Sequence, residues 1–300
     1  MTIVAPAEFA PERVTAPSNA VVEFSRQQPL GAISLVVIVV MMFAGVFSQW
    51  VAPYNPFDID FASILAPPSW DHWMGTDAFG RDIFSRVIYG ARTALVIGFL
   101  SSFIGSTFGA ILGAASAYFG GRVDEIIQRF VDILLAFPLI VLALVVVAAL
   151  GRTLVLNIDI NLIVAIAIPI APRVARVVRS AALSIRVMPY IDAARAAGYS
   201  NLRIIGRHMA PNLAAPYLIM LTAHIAQAIL LEASLSFLGL GVQPPDPTWG
   251  QMMGAEARPY VTRAPWMVIF PGLALSLAVF SINVLGDGLR DALDPRMRGT

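Results

Sequence analysis

Residues 93–120 read TALVIGFLSSFIGSTFGAILGAASAYFG, a run without a charged residue. About 20 mostly apolar residues carry a helix across the roughly 30 Å bilayer core, so this stretch predicts a membrane-spanning helix. Gly105, Gly109 and Gly113 recur every four residues, and Ala117 continues the spacing. Small residues at that spacing form a flat stripe on which a second helix can lie closely. We expect that second helix within this chain; a partner subunit or a pathway lining is the alternative.

The composition of the whole chain indicates a membrane protein. Its 300 residues are 58% apolar and 13% charged, whereas soluble domains are about 45–50% apolar and about 25% charged. Disorder requires low hydrophobicity and high net charge, so a disordered chain is excluded. The formal net charge of +1 leaves no basic excess for binding nucleic acid.

The chain contains few of the side chains that perform covalent catalysis or bind metals. All 20 basic residues are Arg, and the chain has neither Lys nor Cys. These absences exclude a Walker A phosphate-binding loop, Schiff-base chemistry, disulfides and thiolate ligands. The histidines, His72, His208 and His224, are scattered and form no HExxH pair. We therefore predict a non-catalytic protein with no catalytic residue, no metal site and no cofactor bound by this chain.

Five further apolar stretches predict an all-α polytopic protein with six transmembrane helices. The first, Leu30–Ala52, exceeds the apolar stretch of about 7–15 residues in a cleaved signal peptide, which indicates a retained anchor. The predicted organisation is a tail (1–29), the anchor with its loop (30–92), a transmembrane domain (93–287) and a second tail (288–300). Within that domain the spans are expected at about 93–120, 133–150, 155–175, 213–235 and 266–285, with a polar loop at 176–212. Pro138 should kink the third span or mark its entry.

The distribution of Arg predicts the orientation of the six spans. With both termini inside, the inner segments hold fourteen Arg and the outer segments six, as the positive-inside rule favours. All five Trp then lie on the outer side or its interface, where Trp is favoured. We expect a multi-pass membrane protein with cytoplasmic N- and C-termini.

The polar loop contains the segment PYIDAARAAG at 189–198. Pro189 suits the first turn of a helix, and Asp192 adds a carboxylate that favours the helix dipole. The alanines are strong helix formers, and Gly198 can end the helix by adopting a left-handed backbone conformation. We expect a short helix almost free of side chains, followed by a second amphipathic stretch that ends at Pro211. Such a helix can fit a groove on another protein; an ordinary interfacial loop is the alternative.

This segment resembles the EAA loop of bacterial ABC-importer permeases, which docks on ATP-binding subunits. Asp192 stands where the family has Glu, and His208-Met209-Ala210-Pro211 departs in part from the family's Ile-x-Leu-Pro. The shorter Asp keeps the charge, whereas Ala210 weakens the hydrophobic anchor. The resemblance implies an ATPase-coupling role for Asp192, Ala193, Ala194, Arg195, Ala197, Gly198 and Pro211.

Three more segments resemble the dipeptide/oligopeptide/nickel class of these permeases. They are GTDAFGRDIFSRVIYG (75–90), EASLSFLGLGVQPP (232–245) and LGDGLRDALDPR (285–296). The resemblance implies a type-I permease fold over roughly 93–287, preceded by an extra span. It also implies a place in the lipid of a bacterial inner membrane. The implied partners are a second homologous permease, two ATP-binding subunits that hold ATP and Mg, and a periplasmic substrate-binding protein. The implied cargo is a di- or oligopeptide or a related small solute; nickel is the alternative within the class.

Two groups of charged or polar residues have two interpretations each. The outer-loop residues Asp77, Arg81, Asp82 and Arg86 could form ion pairs along one helix face, or a docking surface for a binding protein. Glu232 is the only acid deep in the fifth span, and a carboxylate there usually faces the bundle interior or a wet cavity. With Ser234 and Ser236 it could cap a broken helix near Gly239 and Gly241, or lie on the substrate pathway.

Two other classes of function fit the sequence less well. A self-sufficient secondary transporter would often show inverted repeats, and residues 30–150 and 150–290 show no convincing repeat. An intramembrane enzyme would need paired catalytic groups inside the spans. Asp132 and Asp159 lie near opposite ends of their predicted helices and cannot meet; we expect Asp132 to pair with an Arg of the inner surface.

Overall fold

The computed structural model describes residue 25, residues 28–155 and residues 158–293, and these ranges are predominantly helical. Two strands of two residues each, β1 (Leu154–Val155) and β2 (Ile158–Asp159), pair antiparallel between two of the helices. Short 3-10 turns occupy Phe61–Ser63 and Arg258–Tyr260. The elements in chain order are α1 (Pro29–Val46), α2 (Ser48–Val51), α3 (Ile83–Phe119), α4 (Gly121–Leu135), α5 (Leu139–Leu150), β1 (Leu154–Val155), β2 (Ile158–Asp159), α6 (Ile160–Arg186), α7 (Pro189–Ala196), α8 (Asn201–Ile204), α9 (Ala210–Phe237), α10 (Trp249–Met253) and α11 (Trp266–Leu293).

Five helical segments of the described chain are long and apolar enough to cross a membrane. One of them is continuous from Asn201 to Phe237, so it includes α8, a wider π turn at Ile205–Met209 and α9. The pair α4 and α5 gives up to six spans if it is taken as one broken span. The chain is thus a helical polytopic membrane protein with five or six apolar helices.

The glycine stripe of α3 packs against α6, as the within-chain interpretation predicted. A Cβ atom added to Gly105, Gly109 or Gly113 would overlap the backbone of α6 at Ala167, Ala171 or Ala175 in turn. Glycine permits this approach because hydrogen is its whole side chain. The α3–α6 pair therefore forms the tightly packed centre of the fold.

The expected third span, 133–150, is not one straight helix. α4 ends at Leu135, α5 begins at Leu139, and their axes differ by 96°. Pro138 is the N-cap of α5, so it marks the entry of that helix; proline cannot continue a helix, and it disfavours helical backbone in the residue before it. α5 alone, at 1.5 Å per residue, is about 18 Å long, which is too short to cross a bilayer.

Other helices extend beyond the stretches expected from hydropathy. α3 begins at Ile83 rather than Thr93, because Asp82 caps it by accepting a 2.8 Å hydrogen bond from the Ser85 N–H. α6 continues past 175 to Arg186, through the buried Pro169 and Pro172. Prolines inside membrane helices are tolerated when neighbouring helices and local adjustments support the backbone.

Candidate functional site

The short helix expected from PYIDAARAAG is α7, which begins at Pro189 and ends at Ala196. Gly198 follows with a φ of 74°, in the left-handed region that favours glycine. The side chain of Ile191 is fully buried, so it anchors the helix to the rest of the chain. The residues Asp192, Ala193, Arg195, Ala196 and Ala197 are exposed. Beyond Tyr190, which is 41% exposed near the start of the helix, α7 and the Ala197 that follows it present a surface of three alanines and one ion pair. In that pair Arg195 Nη1 donates to Asp192 Oδ1 at 3.0 Å.

One of the expected coupling residues does not lie on that surface. Ala194 is 5% exposed and packs inward with Ile191 in the main apolar core. Its position one turn from Ile191 on the same helix face explains the burial. The expected contact surface on α7 is therefore reduced to the residues that face outward.

Tyr118, which the sequence analysis did not single out, joins α7 and α8 to the end of α3. Its hydroxyl donates to Asn201 Oδ1 at 2.8 Å, and the guanidinium of Arg195 lies 5.3 Å from its ring centre. Arg186, the last residue of α6, donates to the Ala117 carbonyl at 2.8 Å. The C-terminal end of α3 thus contacts residues on both sides of α7. We call this the α7 end of the bundle.

α4 is fastened to the same end by ion pairs with α6. Arg179 donates through two nitrogens to both carboxylate oxygens of Asp124, at 2.7 and 2.5 Å. Asp124 also accepts a hydrogen bond from Ser116 of α3. Asp132 pairs with Arg176, so the expected ion pair with an Arg is present. Three helices are therefore joined around Asp124.

The amphipathic stretch after α7 does not end at Pro211, contrary to expectation. Its helix continues through Pro211 to Phe237. The Ala210 N–H donates to the Ile205 carbonyl, five residues earlier, in a π turn. Proline lacks an N–H and crowds the carbonyl four residues back in a regular helix, so the wider turn accommodates it. The stretch from Asn201 to Met209 and α9 therefore form one continuous helix, Asn201–Phe237, which we call the rod.

The charged residues expected as a docking surface are buried at the opposite end of the bundle. The exposed fraction is 5% or less at each of Asp77, Arg81, Asp82 and Arg86. Burial within this chain removes them from any surface that a binding protein could touch. Ion pairs are present, but Asp77 and Arg81 lie in a turn before α3 rather than along a helix face.

Glu256 joins Asp77, Arg81 and Arg86 in a buried ionic cluster. Arg81 Nε donates to Asp77 Oδ2 at 2.6 Å and Arg81 Nη2 donates to Glu256 Oε2 at 2.7 Å. Arg86 lies 3.6 Å from both carboxylates and donates through Nη1 to the Pro56 carbonyl at 3.1 Å. We call Asp77, Arg81, Arg86 and Glu256 the Arg86 cluster. It ties the loop before α3 to the loop between α9 and α11.

Glu232 is fully buried in α9, near the end of the helix. Ser236 donates to Glu232 Oε1 at 2.7 Å, and the Val242 N–H donates to Ser236 Oγ at 3.2 Å. The helix ends at Phe237, and Gly239 follows with a φ of 79°. This chain of contacts supports the structural interpretation of Glu232, in which it holds the backbone after the helix. Ser234 instead donates to the Leu230 carbonyl of its own helix.

Comparison with known proteins agrees with this architecture. Residues 105–299 match the family described as binding-protein-dependent transport system inner membrane component, and residues 25–68 match the N-terminal TM domain of oligopeptide transport permease C. The chain is 42% identical to the dipeptide transport system permease protein DppC of Alkalihalophilus pseudofirmus, over 91% of this chain and 88% of that protein. It is 41% identical to the glutathione transport system permease protein GsiD of Escherichia coli, over 96% and 94%.

A solved structure shows the same fold. An inward-facing MetNI methionine ABC transporter superposes with a TM-score of 0.55 at 20% identity, over 70% of this chain and 96% of the other chain. The family match covers more than half of the chain, and both relatives are well above 30% identical over nearly their full lengths. This chain belongs to the family of binding-protein-dependent transport system inner membrane components, as a non-catalytic, multi-pass permease subunit of an ABC importer.

Proposed function

We propose that this chain is a permease subunit of an ATP-driven peptide importer and that α7 couples it to separate ATP-binding subunits. The observation that carries this proposal is the surface of α7. A fully buried Ile191 fixes the helix, while Ala193, Ala196 and Ala197 face outward with almost no side chain. A helix of this kind can be held closely in a groove, and its displacement is passed on directly because little side-chain flexibility intervenes.

The connections behind α7 support a coupling role. The rod begins at Asn201, shortly after α7, and continues without a break into α9. A displacement of α7 can therefore be transmitted to the membrane-spanning part of α9. Tyr118 and Arg186 connect the same loop to α3. The predicted coupling residues Asp192, Arg195 and Gly198 position this surface, whereas Ala194 acts through packing. Pro211 lies inside the rod.

The proposed assembly contains a second homologous permease, two ATP-binding subunits that hold ATP and Mg, and a periplasmic binding protein. In it, both termini and α7 lie in the cytoplasm, and the Arg86 cluster lies on the periplasmic side. The Arg distribution supports this orientation. The transmembrane domain spans roughly 93–287, with residues 30–92 as the added N-terminal segment and 1–29 and 288–300 as tails.

Peptides are the favoured cargo because the relatives are named as dipeptide and glutathione transport permeases. Nickel is the alternative cargo within the class. The described part of the chain contains no group of three or more His, Asp or Glu that could hold a metal.

Reconstitution of the complete importer in proteoliposomes tests the proposal. The binding protein is supplied on the side opposite the ATPases, and uptake of radiolabelled trialanine and of nickel is followed with ATP and without it. We expect ATP-dependent peptide uptake and no nickel uptake. Nickel uptake without peptide uptake would overturn the cargo, and uptake driven by an ion gradient without the ATPases would overturn the coupling.

A further inference from the structure

A cavity of about 310 Å³ opens where the first turns of α3, the β1–β2 hairpin and the loop after α9 converge. Its wall is partly apolar: Phe57 and Tyr89 meet edge to face at 6.4 Å between ring centres, and Val96 and Val242 also line it. A volume near 300 Å³ is at the lower end of the range for small-molecule sites. The cavity is therefore large enough for a short peptide.

Four charged side chains line this cavity, and two of them, Arg152 and Asp159, already interact with each other or with the backbone of this chain. Asp159 caps α6 by accepting from the backbone N–H groups of Asn161 and Leu162, at 3.1 and 3.3 Å. Arg152 lies 3.8 Å from the other oxygen of Asp159. This pair holds the hairpin against the start of α6, so its charges are already balanced.

The other two charged side chains, Arg92 and Asp246, have no such partners. Neither side chain has a hydrogen bond or an ion pair with any residue in the described ranges, and they do not pair with each other. Both nevertheless line the same cavity, Arg92 from α3 and Asp246 from the loop after α9. An unpaired cation and an unpaired anion in one cavity are complementary to a ligand that carries both charges.

We propose that this cavity binds the two charged termini of a short peptide, with Arg92 receiving the carboxylate and Asp246 the ammonium group. Arginine suits a carboxylate because its planar guanidinium can donate two parallel hydrogen bonds. The apolar wall contacts the peptide between its ends without selecting a sequence. The assignment rests on the proposed function, in which this side of the bundle receives peptide from the binding protein.

Direct binding tests the cavity independently of transport. The permease pair with its ATPases is placed in phosphatidylglycerol nanodiscs, so that no lipid amine competes, and titrated with trialanine by ligand-observed NMR. We expect saturable binding of trialanine. We also expect at least about tenfold weaker binding of N-acetyl-trialanine amide, because it lacks both terminal charges. A tenfold change corresponds to about 1.4 kcal/mol.

Substitutions then assign the two ends. Arg92→Gln and Asp246→Asn should each weaken trialanine binding at least about tenfold, and Asp246→Glu should retain most of it. Arg263→Gln is the matched control: Arg263 is exposed in the loop before α11 and lies outside the cavity lining. Equal thermal midpoints for all variants exclude misfolding as the cause.

Three results would overturn the site: no trialanine binding, equal binding of the capped peptide, or unchanged binding by Arg92→Gln and Asp246→Asn. If any of these occurs while the wild-type importer still takes up peptide in proteoliposomes, only the site is wrong. If the importer takes up no peptide at all, the proposed function is wrong.

Discussion

The hydroxyl of Tyr118 donates a 2.8 Å hydrogen bond to the side-chain Oδ1 of Asn201. Tyr118 is the second-last residue of α3, and Asn201 is the first residue of the rod that leads into α9. The tyrosine ring is 6% exposed and also faces the guanidinium of Arg195. The contact therefore joins two long helices directly beside the proposed coupling helix.

Tyr118→Phe should lower the peptide uptake per ATP hydrolysed several-fold while leaving ATP hydrolysis itself largely intact. The substitution keeps the ring but removes one hydrogen bond, whose net contribution to stability is about 1 kcal/mol. Uptake and phosphate release are measured in the same proteoliposomes. Tyr260→Phe is the control, because the Tyr260 side chain has no hydrogen bond to a described residue and lies at the other end. An unchanged ratio in Tyr118→Phe would show that this contact transmits nothing.

Arg86→Met should destabilise the protein severely. Arg86 is fully buried between Asp77 and Glu256, and its removal leaves carboxylates in the interior with less positive charge. Removing one partner of a buried ion pair typically lowers the free energy of unfolding by about 3–5 kcal/mol. The measurement is the thermal unfolding midpoint of the purified complex in detergent.

The control for Arg86 is Arg129→Met. Arg129 pairs with Glu125 at 3.0 Å, but the two side chains are 76% and 63% exposed. Exposed pairs of this kind contribute little to stability, so we expect no measurable shift in the midpoint. Equal midpoints for Arg86→Met and wild type would contradict the structural role of the cluster.

Single-cysteine labelling should place the two ends of the bundle on opposite sides of the membrane. The chain has no cysteine, so each introduced thiol is the only reactive one in it. Thr262→Cys and Arg122→Cys both alter exposed positions, one in the loop before α11 and one at the start of α4, beside the C-terminal end of α3. A membrane-impermeant maleimide should label residue 262 in spheroplasts and residue 122 only after permeabilisation. The reverse pattern would invert the proposed topology.

The sequence predicted most reliably the features that depend on local chemistry. The bounds of α7 follow from Pro189 and Gly198, whose backbone preferences act within one or two residues. The glycine stripe predicted a close helix contact, because the four-residue spacing by itself places the small residues on one face of the helix. Its partner, α6, had to be taken from the structure, since several helices could have met that face.

The features that the sequence did not predict depend on contacts between distant residues. Glu256 is 175 residues from Arg81, and no spacing rule relates them. Pro138 predicts a break in the third span, but the 96° angle between α4 and α5 does not follow from the sequence, because hydropathy measures composition and not direction. The expected end of the amphipathic stretch at Pro211 is wrong, because the π turn before it lets the helix continue. Burial of Ala194 required knowledge of which face of α7 meets the core.

The most direct test of the central claim compares Ala193→Arg with wild type in ATP-driven peptide uptake. Ala193 is exposed on α7, so the variant should fold and reach the membrane with a normal thermal midpoint. Its long charged side chain should hold the helix out of any groove on an ATP-binding subunit. We predict that the ATPases no longer co-purify with the permease and that uptake falls to background. Wild-type uptake by a correctly folded Ala193→Arg protein would contradict coupling through α7.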